Sequence, residues 1–138
     1  MRARTLQSGD PEKTEAVGAE LARGLAPGDV VLVSGELGSG KTTLIRGACR
    51  ELGVAGPVQS PTFTIGYVHE GRVEVAHLDL YRLASLANED PGLLDDYVTP
   101  ERIAFVEWQQ AGEPALERIA ARVLIEHAGP GKRRIEIS

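Results

Sequence analysis

Eight consecutive residues, Gly35-Glu36-Leu37-Gly38-Ser39-Gly40-Lys41-Thr42, match the pattern G-x-x-x-x-G-K-[ST] in full. Each fixed position answers a chemical need. Glycines let the backbone curl through positive φ, so that successive N–H groups converge on an anion. A helix starting at the end of such a loop adds the positive end of its dipole to the same spot. Lys41 supplies a point charge for the outer phosphates of a polyphosphate. Thr42 supplies a hydroxyl oxygen for magnesium, a hard cation that keeps most of its waters. With 16 glycines in the chain, a chance match somewhere has a probability on the order of a few in a thousand. The chain has three lysines, and one falls where the pattern needs it. A dinucleotide fingerprint is not present, because Thr43 stands where its third glycine belongs.

A magnesium–triphosphate site also calls for carboxylates. His77-Leu78-Asp79 closes a β-type run, and the period of two puts His77 and Asp79 on one face. Asp79 is therefore a candidate for the magnesium shell, with a turn or capping carboxylate as the plainer reading. Glu107 ends the apolar run IAFVEW (103–108). A carboxylate at the carboxyl end of a strand can orient a water or serve the outer shell of a metal; an exposed strand-end Glu is the alternative. His77 reads as a structural hydrogen-bonding residue, and Trp108 as a packing residue. Ser60-Pro61-Thr62-Phe63-Thr64 is a polar loop, either switch-like and sensitive to the terminal phosphate or merely a turn. Guanine-specific proteins carry Asn-Lys-x-Asp; here Asn88 is the only asparagine and no lysine follows it, which favours adenine.

These residues need elements to position them. Asp10 and Pro11 read as the cap and first turn of a helix in which Val17, Leu21 and Leu25 face a core, ended by Gly24 and Pro27-Gly28. The run Val30–Ser34 between Asp29 and Gly35 reads as a strand buried on both faces. A helix follows from Lys41 to Leu52, closed by Gly53. Two β-rich runs flank Glu70-Gly71, and IAFVEW is another buried strand. A helix is expected from Pro114 to Ala121, then a hairpin of RVLIEHA and RRIEIS around Gly129-Pro130-Gly131. The pattern predicts an α/β fold: one P-loop domain over residues 1–138, with a central, mostly parallel sheet, helices on both faces and an added β-hairpin.

Composition bounds the rest. The chain has 138 residues, 42 % of them hydrophobic, enough to bury a core without staples. A lone cysteine, Cys49, excludes an internal disulfide framework and fits a reducing compartment. The N-terminal residues lack the apolar stretch of a signal peptide, and no run approaches a membrane span, so a cytoplasmic location is expected. The net charge of −5 argues against a nucleic-acid backbone as a direct ligand, though not against a nucleic-acid role exercised through a partner.

With these residues in order, the chain resembles the bacterial TsaE family, also called YjeE. The resemblance runs through Gly35–Thr43 into Arg46-Gly47, through Ser60–Thr64, through His77-Leu-Asp-Leu-Tyr-Arg-Leu83, and ends on Glu107-Trp108. It implies a P-loop ATPase of threonylcarbamoyl-adenosine tRNA modification that binds ATP and magnesium and hydrolyses ATP slowly. Its expected partners are TsaB and TsaD; tRNA is reached through their complex, and no membrane is involved. The threonylcarbamoyl group goes to the adenosine beside the anticodon in tRNAs reading ANN codons, and the TsaE member does not itself transfer it. Residue by residue, the resemblance implies catalytic roles for Lys41, Asp79 and Glu107. It implies ATP contacts from the loop Glu36–Thr43, from the switch-like Thr62 and from Trp108, and magnesium at Thr42, Asp79 and Glu107, with Thr43 able to share Thr42's part. Tyr81 and Arg82 match the motif without a derivable role. Gln109-Gln110 departs from the Pro or acidic residue that follows Glu-Trp in many members. Two other classes share the loop: a small-molecule kinase, which needs an arginine lid and an acceptor pocket, and a nucleotide-gated binding module.

Overall fold

The computed structural model describes residues 3–36, 38–58, 66–80, 94–108, 116 and 118–138. Along the chain these form β1 (Arg4–Ser8), α1 (Pro11–Arg23), β2 (Val30–Gly35), α2 (Lys41–Glu51), β3 (Gly66–His69), β4 (Glu74–Asp79), β5 (Arg102–Glu107), β6 (Ile119–His127) and β7 (Arg133–Ile137). All seven strands share one sheet, in the order β1-β7-β6-β2-β5-β4-β3.

The four central strands β6, β2, β5 and β4 run parallel. The outer pairs β1–β7, β7–β6 and β3–β4 are antiparallel. The sheet is thus parallel at its centre and mixed overall. The central strands β2 and β5 carry continuous apolar runs because both their faces are covered. On one face Val31, Val33, Val75, Ile103, Phe105, Val123 and Ile125 pack with Leu21, Leu44, Ile45 and Ala48 of the helices. On the other, Val30, Leu32, Ala76, Leu78, Ala104 and Val106 form a second cluster, packed by Leu94, Tyr97, Val98 and Trp108. Helices were expected on both faces; among the described residues, both helices lie on the first.

The helix α1 begins as expected. Asp10 caps it and accepts from Lys13 N–H at 2.8 Å, with Pro11 in the first turn. Two differences from the sequence expectation stand out. β1 carries only Leu6 as an apolar residue, so its polar composition gave no strand signal. The helix expected over Pro114–Ala121 is not there at its described end: Ile119–Ala121 open β6, paired with Val30 and Val31. Residues of good helix propensity have been overridden by pairing to the central strand. Arg118, at φ 57°, marks the turn into that strand.

α1 and α2 cross at two glycines. A Cβ built on Gly18 would lie 1.9 Å from Leu44 O, and one on Gly47 would lie 2.0 Å from Glu15 O. The contact is backbone against backbone, with no flexible side chain to yield. It sets how deeply α2, the helix after the phosphate-type loop, is seated. Gly18→Ala should therefore destabilise the fold by about 2 kcal/mol or more, although alanine favours a helix by about 1 kcal/mol. A urea midpoint equal to or above wild type would contradict the close crossing.

Cys49 is fully buried in the helix-side core, and burial pushes its thiol from 9.0 up to about 12. The raised value means that the thiol's contribution to stability is intact below pH 9. It falls between about 9 and about 12, where only the unfolded chain ionises. Cys49→Ala should flatten the alkaline loss of stability in that window, and an unchanged slope would count against this burial.

Candidate functional site

β2 is the central parallel strand, and its carboxyl end delivers the chain into the glycine loop. Gly35, Gly38 and Gly40 take φ of 149°, 75° and 108°, which L side chains rarely adopt. A Cβ on Gly35 would also strike Ile125 O at 2.3 Å. Ser39 N–H donates to Glu36 O at 3.0 Å, and Gly40 caps α2 and accepts from Leu44 N–H at 3.0 Å. The loop is thus a curled ribbon opening onto a helix N-terminus.

Lys41 is the first residue of α2 and is 94 % shielded from solvent. Its Nζ donates to Gly35 O and Glu36 O, each at 2.9 Å, folding the ammonium back over its own loop. Burial lowers the pKa of this ammonium, while the carboxylates of Glu107 and Asp79 pull it the other way. A partly desolvated cation bound to neutral carbonyls is a place where an added anion restores what hydration was lost.

Across the sheet, Asp79, Glu107 and Val33 are register partners on neighbouring strands. Their level is the carboxyl end of the parallel strands, where open α/β sheets hold ligands. On the helix-side face the apolar stripe Val75, Ile103, Phe105 gives way here to His77, Asp79 and Glu107. His77 and Glu107 are both buried, with Nε2 of the imidazole 2.6 Å from Oε2 of the carboxylate.

The structure thus brings Lys41, Asp79 and Glu107 together at one strand end. Thr42 and Thr43 follow in the first turn of α2. Thr43, with Gly38, Ser39, Gly40, Asp10, Thr14 and Arg133, lines a cavity of about 290 Å³ beside the loop. Trp108 is not gathered with them. It packs on the opposite face of the sheet and lines a different cavity, of about 460 Å³, with Leu32 and Ser34. Leu37, Thr62 and the rest of Ser60–Thr64, and Tyr81 and Arg82 lie outside the described residues. Among the described residues there is no cluster of three or more His, Cys, Asp or Glu that could hold a metal. Thr42, Asp79 and Glu107 offer a sparser oxygen set, of the kind that suits a magnesium ion keeping its waters. The side-chain oxygen of Ser39, wholly buried in the loop, has no hydrogen-bond partner among the described residues.

The sequence model of the family described as "Threonylcarbamoyl adenosine biosynthesis protein TsaE" matches residues 8–135. The chain belongs to the TsaE family. It is 37 % identical over 127 residues to the tRNA threonylcarbamoyladenosine biosynthesis protein TsaE of Bacillus subtilis, covering 91 % of this chain and 79 % of that one. To the protein of the same name from Streptomyces coelicolor it is 40 % identical over 115 residues, 81 % of this chain and 78 % of the relative. Its fold resembles the crystal structure of YdiB from Bacillus subtilis, with a TM-score of 0.80 and 30 % identity, across 99 % of this chain and 84 % of that one.

Sequence reasoning missed Arg133 in this TsaE member. From β7 its guanidinium donates to Ser39 O at 2.9 Å and Gly38 O at 3.3 Å, bracing the loop from outside. No motif announces it; only the place of β7 beside β6, and of β6 beside β2, carries it there. A hydrogen bond from a charged donor is worth about 1.5–3 kcal/mol. Arg133→Ala should accordingly weaken triphosphate binding about tenfold or more. Affinity within twofold of wild type in a calorimetric titration would show that the brace is idle.

Proposed function

We propose that this TsaE-family chain binds ATP with magnesium and hydrolyses it slowly to ADP and phosphate. It does so as an accessory protein of tRNA threonylcarbamoyladenosine biosynthesis, the pathway its relatives are named for. In this reading it acts with TsaB and TsaD and does not transfer the threonylcarbamoyl group. The tRNA is met through that complex, in keeping with a net charge of −5, which gives a phosphate backbone no overall attraction.

One observation carries the reading: a left-handed glycine loop with Lys41 folded over it, facing two strand-end carboxylates. Amides of Gly38 and of Gly40 to Thr43 are the natural donors to the phosphates, and Lys41 serves the outer two. Thr62 is assigned the switch-like role that senses the terminal phosphate. The 290 Å³ cavity at Thr43 is suited to the nucleoside end, because it opens beside the loop.

Thr42, Asp79 and Glu107 would hold magnesium, which when bound supplies positive charge to the phosphate oxygens. Glu107 orients a water for in-line attack on the terminal phosphorus. The bond from that water's oxygen to phosphorus forms, the bond to the bridging oxygen breaks, and the water's proton leaves by way of the carboxylate.

Reconstituted tRNA threonylcarbamoylation with TsaB and TsaD, with and without this chain, tests the function. Product formation should depend on the chain, and hydrolysis by the chain should rise when both partners are present. Equal modification and equal hydrolysis in all arms would overturn the reading, and γ-phosphate label appearing on a metabolite would point instead to a kinase. Asp79→Asn should shift the magnesium dependence of hydrolysis to higher concentration; an unchanged magnesium titration would remove Asp79 from the shell.

A further inference from the structure

We propose that His77 is a positioning residue that fixes the Glu107 carboxylate for hydrolysis, donating from Nε2 to Oε2 across two buried strands. The inference rests on the reading of Glu107 given above and assigns a part in turnover to a residue that the sequence alone reads as a structural hydrogen-bonding one.

The geometry is specific. His77 lies on β4 and Glu107 on β5, adjacent parallel strands whose register pairs His77 with Phe105 and Asp79 with Glu107. His77 and Glu107 are therefore diagonal neighbours on the same face, within reach of long side chains. The contact is 2.6 Å, and the two side chains are 0 % and 4 % exposed. A pair this short and this shielded from water holds its geometry far better than an exposed one.

The direction of the bond follows from what the imidazole lacks. Nδ1 of His77 is buried and has no partner among the described residues. A proton there would leave a buried N–H without an acceptor, the rarer and costlier kind of orphan. Nε2 therefore carries the proton and donates, and the ionised carboxylate, an acceptor only, receives it. The reverse arrangement, with a protonated Glu107 donating to Nε2, would place the ring proton on Nδ1 and orphan it.

The consequence is positional. Glu107 stands at a strand end, where a carboxylate can adopt several rotamers. Among the described residues its one side-chain hydrogen bond is from His77, at Oε2. Holding one oxygen from behind fixes the plane of the carboxylate and reserves Oε1 for the site. A carboxylate that must aim a water at phosphorus gains from such orientation, since small misplacements cost large factors in rate. His77 does not touch substrate in this account. It acts only through Glu107, and its loss should be felt in turnover rather than in nucleotide binding.

Four forms of the full-length chain decide this: His77→Gln, His77→Leu, Glu107→Gln and the His77→Leu/Glu107→Gln double variant. Gln can place an amide N–H near the position of Nε2, whereas Leu fills the space and donates nothing. His77→Leu should lower kcat for ATP hydrolysis about 30-fold or more, with KM and the affinity for magnesium–ADP within about threefold of wild type. His77→Gln should recover to within about fivefold of wild type. Adding His77→Leu to Glu107→Gln should cost less than about threefold further, because the two act as one unit. Nitrogen-15 spectra of the imidazole should show the Nε2–H form in wild type and an altered hydrogen-bond signature in Glu107→Gln.

The inference is overturned if His77→Leu keeps kcat near wild type, if Gln and Leu fall equally, or if the single losses multiply in the double variant. It is overturned equally if the imidazole proton is found on Nδ1. That spectral readout stands on wild type, so it decides even if His77→Leu fails to fold. If instead Glu107→Gln itself hydrolyses ATP normally, the assignment of Glu107 fails and this inference with it. An impaired Glu107→Gln beside a normal His77→Leu rejects His77 alone.

Discussion

Between the end of β2 and the start of α2, the backbone turns through conformations open to glycine, and the ammonium of Lys41 closes back on the carbonyls of Gly35 and Glu36. That closed ribbon is the constraint on which the rest of the molecule depends. Its own carbonyls are met by cations from either side. Lys41 takes two of them, and Arg133 takes those of Gly38 and Ser39. The helix that follows is pressed onto α1 at Gly18 and Gly47, and the strand that precedes it is buried in the centre of the sheet. Loop, helix and strand are thus each fixed by a different physical device: hydrogen bonds, close backbone packing and hydrophobic burial.

The carboxyl end of the sheet shows how polar groups are tolerated inside. Val75, Ile103 and Phe105 fill the helix-side face until His77, Asp79 and Glu107 replace them next to Lys41. Buried charges of this kind cost stability unless each meets an opposite charge or a hydrogen bond. Here Glu107 meets His77, and Lys41 feels both carboxylates.

Much of this was legible in the chain itself, and the gaps have physical reasons. The eight-residue loop, the continuous apolar run of β2 and the cap at Asp10 are local signals, and each appears where local chemistry puts it. The strand-end positions of Asp79 and Glu107 follow from period and run length, and their meeting follows from β4 and β5 being neighbours. β1 was not legible because an edge strand with a single apolar residue has no pattern to read. Ile119–Ala121 misled because alanine-rich segments favour helix until a central strand offers a ladder. Arg133 and the His77–Glu107 bond were out of reach because they depend on strand order, which no window of sequence contains. Trp108, one residue from Glu107, points to the other face because alternation along a strand separates neighbours.

The proposed grip of Lys41 on the outer phosphates over the glycine loop is the interaction on which the function turns. Calorimetric titration of wild type and Lys41→Ala with magnesium–ATP and with magnesium–ADP measures this directly. The predicted result is a loss of affinity for the triphosphate severalfold larger than for the diphosphate, as the proposed contact with the terminal group requires. Equal losses for both nucleotides, or no loss for either, would contradict it.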